Sequence, residues 1–276
     1  MTGPAPIPRV LYGTAWKEER TQELTRLALE AGFVGIDTAN QRKHYFEAAV
    51  GEAVREAIAA GRTTRQRLFL QSKYTFQGGQ DHRLPYDPAA PVATQVQQSF
   101  DSSLAHFSTD YLDSYLLHGP SSSGRLTARD REAWQALEQL ARSGKARLIG
   151  VSNFTAEQLS ELLAWCAIPP RFVQNRCYAS TGWDEQVRAV CARHGVTYQG
   201  FSLLTANRKQ LSHPAMKELC ARTGRSSAEL VFAFAAAVGI LPLTGTSSRE
   251  HMQLDLAALA LPLSAADREL MQRGLV

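Results

Sequence analysis

The sequence predicts an α/β protein, and within that class a single-domain (β/α)8 TIM barrel. Eight short apolar runs alternate with helical segments at intervals of about 25–40 residues, which favours a parallel sheet closed into a barrel. Four of the runs end in polar residues, as barrel strands do at the face where chemistry occurs. The length of 276 residues fits this fold, and no break in composition marks a boundary, so one domain over 1–276 is expected.

Short runs rich in β-formers and bounded by glycine, proline or polar residues are predicted as strands. The clearest is the run that ends in His118-Gly119-Pro120, because a buried strand there meets chain punctuation at once. The predicted strands cover residues 9–14, 34–38, 68–73, 111–118, 146–152, 172–177, 197–201 and 240–243.

Helices are predicted where apolar residues recur every three or four positions. Gly32 and Gly61 are typical helix stops, and Thr127 and Thr155 each begin a capping-box sequence. The segment 74–91 is too long for an ordinary connection, so we predict a loop on the substrate side. Predicted helices cover residues 17–31, 48–60, 92–107, 183–194, 214–223, 227–238, 249–259 and 265–272, and two more begin after Thr127 and Thr155.

The composition argues against several classes of function. A net charge of +4, from scattered lysines and arginines, does not favour nucleic-acid binding, and no run approaches the ~18 apolar residues of a membrane helix. Four cysteines without CxxC spacing indicate neither a zinc site nor a disulfide framework. Residues 1–6 lack the features of a signal peptide. We therefore expect a cytoplasmic protein, a monomer or weak homo-oligomer, with no metal, no nucleic acid and no membrane partner.

Three ionisable residues end consecutive predicted strands: Asp37, Lys73 and His118. A lysine beside a carboxylate keeps its charge, and that charge lowers the pKa of a neighbouring phenol. Tyr45, in the loop after Asp37, is the candidate phenol, and a tyrosine so tuned donates a proton near neutral pH. Each residue alone has an ordinary structural interpretation, such as an ion pair or a buried histidine. Their joint placement predicts a proton-transfer site.

Four motifs in order along the chain resemble the aldo-keto reductase family. They are Gly35-Ile36-Asp37-Thr38-Ala39, the strand-ending Lys73, Leu116-Leu117-His118-Gly119-Pro120, and Gly150-Val151-Ser152-Asn153-Phe154. The resemblance implies that Asp37, Tyr45, Lys73 and His118 form a catalytic tetrad. It also implies NADPH, with NADH possible, bound extended at the carboxyl ends of the strands. This agrees with the absence of a GxGxxG motif from the sequence.

The resemblance further implies a set of cofactor-binding residues. Ser152 and Asn153 match the residues that hold the nicotinamide carboxamide, and Asn175, beside Gln174, matches the glutamine that does the same. Phe201 takes the place of the tyrosine that stacks on the nicotinamide ring, although it could be plain barrel core. The other residues implied at the cofactor are Gly13, Thr14, Asp37, Ser202, Leu204, Gly245, Thr246, Ser247, Arg249 and His251.

Two departures from the family concern the substrate end of the site. Five residues, 40–44, precede Tyr45 where the family has two, so His44 is a rival proton donor. The chain also ends soon after its last predicted helix, which implies an open pocket shaped by residues 74–91. The expected aromatic and polar walls of that pocket are Trp16, His44, Tyr74 and Tyr86, with Phe76 and Trp183.

A third departure concerns the 2′-phosphate of NADPH. Gly245 stands where the family has a lysine, and His251 where it has an arginine. We expect Arg249 and nearby hydroxyls to compensate, since a guanidinium binds phosphate well. The predicted outcome is a narrow preference for NADPH that shrinks on Arg249→Ala, and as pH rises if a protonated His251 contributes.

The sequence therefore predicts reversible reduction of a small-molecule aldehyde or ketone. Hydride comes from the nicotinamide, Tyr45 donates a proton to the carbonyl oxygen, and His118 orients the carbonyl. The alternative is a regulatory barrel that binds the cofactor without catalysis, and the presence of all four tetrad residue types argues against it. A metal-dependent hydrolase would need clustered ligands, of which only His118 and Asp37 are available.

Overall fold

A computed structural model describes residues 6–275 of the chain; Met1–Ala5, where a signal peptide was sought, and Val276 lie outside the described residues. Eight parallel strands form a closed barrel in the order β1 to β8, which confirms the predicted fold class. The strands are β1 Leu11–Gly13, β2 Gly35–Asp37, β3 Phe69–Tyr74, β4 Leu112–Leu117, β5 Ala146–Ser152, β6 Phe172–Arg176, β7 Thr197–Phe201 and β8 Leu241–Thr244.

Helices pack around the barrel and alternate with its strands. None of those described is long and apolar enough to cross a membrane. They are α1 Thr21–Ala31, α2 Glu47–Ala59, α3 Val92–Phe107, α4 Ala128–Arg142, α5 Ala156–Leu163, α6 Glu185–His194, α7 Arg208–Leu211, α8 Pro214–Thr223, α9 Ser227–Ala237, α10 Arg249–Ala258 and α11 Ala265–Arg273.

Side-chain caps fix where several helices begin. The Thr127 hydroxyl accepts from the backbone N–H of Asp130, whose carboxylate accepts from the Thr127 N–H, and Thr155 with Gln158 repeats the arrangement. Each capping box satisfies two backbone donors that the first turn leaves without partners. Both predicted boxes are therefore confirmed, and they hold α4 and α5 at fixed starting points beside the barrel.

Two predicted helices begin later than the sequence pattern indicates. Trp16 and Glu18 have φ angles of 61° and 51°, so the chain turns before α1, which begins at Thr21. Trp183 and Asp184 are likewise left-handed at 60° and 59°, and α6 begins at Glu185. The helical spacing of apolar residues continues across these turns, which is why the sequence predicts longer helices. The left-handed backbone conformation of the turn residues interrupts the helical hydrogen bonds. The short α7 was not predicted.

The inside of the barrel has an apolar floor and a polar layer above it. Strands β5 and β6 approach each other closely at Gly150. A Cβ on this residue would lie 2.5 Å from the Phe172 carbonyl oxygen, and the contact therefore requires glycine. Side chains alternate along each strand between the inside and the outside of the barrel. The inward positions nearer the carboxyl ends carry the polar groups. The apolar floor consists of Leu11, Phe69, Leu116, Phe172, Leu241 and Leu243.

Candidate active site

A buried ion pair lies at the carboxyl end of the barrel. Lys73, the penultimate residue of β3, donates from Nζ to both carboxylate oxygens of Asp37 at 2.7 Å, and to the Thr38 carbonyl at 2.8 Å. The side chains of Lys73 and Asp37 are 0% and 3% exposed. Because water does not screen this pair, the ammonium is held in one place beneath the cavity floor.

Three glutamines surround the same carboxylate. Gln71 and Gln174 donate to Oδ1 of Asp37 at 2.7 and 2.9 Å, and both also donate to the Gln199 side-chain oxygen. Gln199 in turn donates to Gln71 at 3.1 Å. The network satisfies polar atoms that would otherwise be costly in the barrel centre. Sequence reasoning missed Gln71 and Gln199, although both occupy inward-facing strand positions.

Tyr45 lies beside the ion pair despite its longer preceding loop. Lys73 Nζ is 5.4 Å from the centre of the Tyr45 ring, and the His118 ring meets it edge-on at 5.7 Å. The extra residues fold into a turn in which the Tyr45 N–H donates to the Gln41 carbonyl at 3.0 Å. The Gln41 side chain anchors this turn by donating to the Gly79 carbonyl at 2.7 Å. The insertion is therefore absorbed without displacing Tyr45 from the site.

The protonation of the site differs from the sequence-based prediction. Burial raises the pKa of Tyr45, and the Asp37 carboxylate raises it further. We expected Lys73 to lower it, but burial and the Asp37 carboxylate outweigh that effect. Burial also lowers the pKa of Lys73, with Asp37 opposing the shift. Burial, together with Lys73, puts the pKa of His118 well below its ordinary value. The phenol and the imidazole are therefore both neutral at physiological pH.

The rival proton donor, His44, lies at the cavity mouth. Its ring packs on Trp16 at a centroid distance of 4.0 Å, and its backbone carbonyl accepts from the Trp16 N–H at 2.8 Å. Burial and nearby Lys43 lower the pKa of His44. The imidazole is thus mainly neutral, and its ring packs on the exposed Trp16.

A cavity of about 800 Å³ opens above Asp37. Its wall contains every predicted tetrad residue except Lys73, which lies fully buried behind it. The predicted residues in the wall are Gly13, Trp16, Asp37, His44, Tyr45, His118, Ser152, Asn153, Gln174, Phe201, Ser202, Leu204, Gly245, Thr246 and His251.

Asn175 does not face the cavity, contrary to the prediction. Its side chain accepts from the Phe154 N–H at 3.1 Å and donates to the Phe154 carbonyl at 2.8 Å, outside the barrel wall. Gln174, its neighbour on β6, faces inward instead. Successive side chains of a strand point to opposite faces, so an error of one residue exchanges inside for outside.

Three more predicted cofactor residues lie away from the cavity wall. The guanidinium of Arg249 is 3.9 Å from Glu30 of α1, and the side chain is 56% exposed. The fully buried Thr14 donates to the Asp37 carbonyl at 3.0 Å. Ser247 is likewise not among the residues that line the cavity. The guanidinium of Arg249 is thus directed toward α1 in this structure, and its compensating role at the 2′-phosphate stays a prediction.

The predicted aromatic walls also need correction. Tyr74 donates to the Gln95 side chain at 3.0 Å, and Tyr86 donates to the Thr75 carbonyl at 2.8 Å. Phe76 packs edge-on against Tyr74 at 5.2 Å, and Trp183 donates to the Met271 carbonyl at 2.8 Å. All four are buried. They pack segment 74–91 and the outer helices against the barrel, and of the predicted aromatic walls Trp16 remains.

Several cavity groups were not foreseen. Thr75 lies 2.6 Å from Nδ1 of His118, and Arg176 at the end of β6 lines the wall. Lys17 donates to the Gly245 carbonyl, and burial lowers its pKa to about 8. Asp255 accepts from Thr244 at 2.6 Å, and burial raises its pKa to about 6. Arg176 follows inward-facing Gln174 by two positions, so strand parity could have identified it.

Comparisons with known proteins agree with this geometry. The model of the Aldo/keto reductase family matches residues 11–273. An uncharacterized oxidoreductase of Bacillus subtilis is 30% identical over 226 residues, which cover 82% of this chain and 73% of that protein. Deoxymugineic acid synthase 1-D of Triticum aestivum is 31% identical, with 82% and 74% covered. A crystal structure of a Bombyx mori aldo-keto reductase in complex with NADP has the same fold, with a TM-score of 0.81, 23% identity, and 99% and 93% covered.

The ion pair makes a prediction about stability. Lys73→Met leaves Asp37 charged and without its ammonium, which should lower the free energy of unfolding by about 3–5 kcal/mol. Hydrogen bonds from Gln71 and Gln174 favour the lower end of that range. The double variant Asp37→Asn/Lys73→Met removes both charges, so it should recover part of the loss. Urea unfolding of wild type, both single variants and the double variant measures the coupling, and a Lys73→Met protein as stable as wild type would contradict it.

Proposed function

Because the chain belongs to the Aldo/keto reductase family, we propose that it reduces an aldehyde or ketone to an alcohol, with NADPH as the hydride donor. The observation that carries this proposal is the Tyr45 phenol, which lies against fully buried Lys73 and beside His118 at the floor of a large cavity. A proton donor in an enclosed site is what carbonyl reduction requires besides the cofactor.

The cavity residues fit a nicotinamide dinucleotide. A volume of about 800 Å³ lies within the usual range of ~300–1,000 Å³ for ligand sites. Ser152, Asn153 and Gln174 present polar groups beside the flat ring of Phe201, as a carboxamide on an aromatic ring would need. The bound cofactor would supply the hydride. We assign its nicotinamide to this end of the cavity and its phosphates to the loops after β7 and β8.

The roles of the chain's own residues follow from their environments. The raised pKa of Tyr45 keeps its phenol protonated at neutral pH, so the proton is available when negative charge develops on the carbonyl oxygen. Lys73, fixed by Asp37, is a nearby positive charge that opposes the cost of forming the phenolate. Neutral His118 can donate a hydrogen bond that orients the carbonyl.

For the phosphate end of the cofactor, we assign a cation from outside the 245–251 segment. Lys17 supports the proposal that an ammonium replaces the missing lysine, because a Cβ on Gly245 would lie 3.6 Å from Lys17 Nζ. His251 lines the same part of the wall, whereas Arg249 faces Glu30. We assign the 2′-phosphate to Lys17, His251 and the Thr246 hydroxyl, with NADPH preferred and NADH usable.

The proton donor is tested by Tyr45→Phe. This change removes the phenolic proton and keeps the ring, so carbonyl reduction should fall by about 10²–10⁴-fold while the dissociation constant of NADPH stays the same. His44→Ala is the matched comparison and should retain turnover within a few-fold. Steady-state reduction of a neutral aldehyde and fluorescence titration with NADPH provide the two measurements. Near-normal turnover of Tyr45→Phe, combined with loss in His44→Ala, would transfer the role to His44.

The phosphate assignment predicts one result for substitutions of Lys17 and His251 and another for substitution of Arg249. Lys17→Met and His251→Ala should weaken NADPH binding more than NADH binding, because NADH lacks the 2′-phosphate. Arg249→Ala is the matched control and should leave the ratio unchanged. In wild type, the NADPH preference should decline above about pH 8 as Lys17 loses its proton, and Lys17→Met should abolish that decline. Equal weakening of both cofactors by Lys17→Met, or a response to Arg249→Ala alone, would refute the assignment.

A further inference from the structure

Arg176 occupies an unusual position inside the barrel mouth. Gln174, two residues earlier on β6, faces inward and donates to Asp37 at 2.9 Å. Strand alternation puts Arg176 on the same face, one layer nearer solvent, where it lines the cavity. The strand register pairs it with Phe201, and its guanidinium carbon lies 5.6 Å from the centre of the Phe201 ring. Arg176 is an exposed residue, so its charge lies at the solvent-facing mouth of the cavity.

This guanidinium has no carboxylate partner among residues 6–275. Three carboxyl groups line the cavity, and each is engaged elsewhere. Asp37 is paired with Lys73, and Asp255 accepts from Thr244. Glu229 accepts from the Ser226 N–H at 2.9 Å and pairs with Arg225 at 3.2 Å. The N–H donors of Arg176 thus have no protein acceptor among the described residues and remain available to a ligand at the cavity wall.

We propose that Arg176 forms a binding site for an anionic group of a molecule held in the cavity. A guanidinium binds carboxylate or phosphate oxygens through two parallel N–H donors, and the Phe201 ring supports its planar face. Two sources carry this chemistry: a phosphate of the dinucleotide, or a carboxylate on the carbonyl substrate. The substrate source rests on the proposed function, whereas the cofactor source requires only that the dinucleotide binds.

The test removes the charge while keeping the aliphatic stem. Arg176→Met is compared with Arg176→Lys, which keeps the charge but loses the fork, and with Arg193→Met, an exposed arginine on α6. The substrate arm compares 4-carboxybenzaldehyde with its neutral methyl ester, which carries the same reacting aldehyde. The cofactor arm measures the dissociation constants of NADPH and of reduced nicotinamide mononucleotide, which lacks the diphosphate bridge.

Two results support the site, and they distinguish the sources. If Arg176→Met lowers kcat/KM by about tenfold for 4-carboxybenzaldehyde but not for its methyl ester, the anion belongs to the substrate. If it raises the dissociation constant of NADPH by about tenfold but not that of the mononucleotide, the anion belongs to the cofactor. Arg176→Lys should retain part of either effect. The proposal is overturned if Arg176→Met changes neither arm more than Arg193→Met does. Wild-type reduction of the neutral ester tests the proposed function separately, and the NADPH titration does not depend on turnover.

A separate contact bears on how His118 is held. The backbone N–H of His118 donates to the Tyr74 carbonyl at 2.8 Å. This bond extends the β3–β4 pairing and brings Thr75 beside the imidazole. The Thr75 hydroxyl is 2.6 Å from Nδ1, and Thr75 is 6% exposed. Within the described residues, His118 is the one hydrogen-bond partner of that hydroxyl. If the hydroxyl accepted from Nδ1–H, its own proton would be buried without an acceptor.

The geometry points to Thr75 as a positioning residue that donates to Nδ1 of His118. A neutral imidazole carries one proton, so this bond fixes the proton on Nε2, the nitrogen left for the cavity. Nε2–H is then the donor that orients a carbonyl oxygen, as the proposed function requires. The role of Thr75 is to select the tautomer, and it does not itself touch the reacting atoms.

Thr75→Val keeps the shape of the side chain and removes the hydroxyl, and Thr75→Ser restores it. Side-chain ¹⁵N shifts should show Nε2–H for His118 in wild type and in Thr75→Ser, and a mixture of tautomers in Thr75→Val. The kcat for a neutral aldehyde should fall by about tenfold in Thr75→Val and recover in Thr75→Ser, with NADPH affinity unchanged. Nδ1–H in wild type, or a Thr75→Val protein with unchanged tautomer and kcat, would overturn the assignment. The ¹⁵N measurement stands whether or not the protein proves to be a reductase.

Discussion

The Asp37 carboxylate is the interaction on which the site depends. It accepts from one ammonium and two amides, all from inward-facing positions on β3 and β6. A buried ion pair costs free energy unless further hydrogen bonds satisfy the remaining lone pairs, and the glutamine network supplies them. The closed barrel makes this buried pair possible, because strands distant in sequence contribute hydrogen-bond donors to one carboxylate. Its consequence is a lysine whose position is fixed without solvent, directly beneath Tyr45.

The electrostatics of the site follow from the burial of that pair and of its neighbours. Burial is the largest cause of both pKa shifts: it raises the pKa of Tyr45 and, together with the Lys73 charge, lowers that of His118. Both shifts favour the uncharged form. The floor of the cavity thus holds two uncharged hydrogen-bond donors, the Tyr45 phenol and the His118 imidazole, beside a fixed ion pair. These donors can stabilise negative charge that develops on a bound molecule, because they already lie in place.

Much of this arrangement could be predicted from the sequence because it is local. Strand ends are marked by apolar runs that stop at Asp37, Lys73 and His118, and barrel closure brings consecutive strand ends together. The predictions that were wrong depended on strand parity or on tertiary contacts. Asn175 and Gln174 are adjacent, and only the fold decides which faces inward. Tyr74 and Tyr86 read as pocket walls, but their hydroxyls find buried partners in Gln95 and the Thr75 carbonyl, which takes them out of the cavity.

The positive charge around the cavity is the clearest case of information that no single motif carries. In the 245–251 segment, Gly245 stands where the family resemblance implies a lysine, and the guanidinium of Arg249 lies 3.9 Å from Glu30. The basic side chains that remain near the wall come from three separate elements: Lys17 from the turn after β1, Arg176 from β6, and His251 from α10. A Cβ on Gly245 would lie 3.6 Å from Lys17 Nζ, so the ammonium of Lys17 lies beside the start of any side chain at 245. The basic groups near the wall thus come from elements distant in sequence, which only the three-dimensional arrangement brings together.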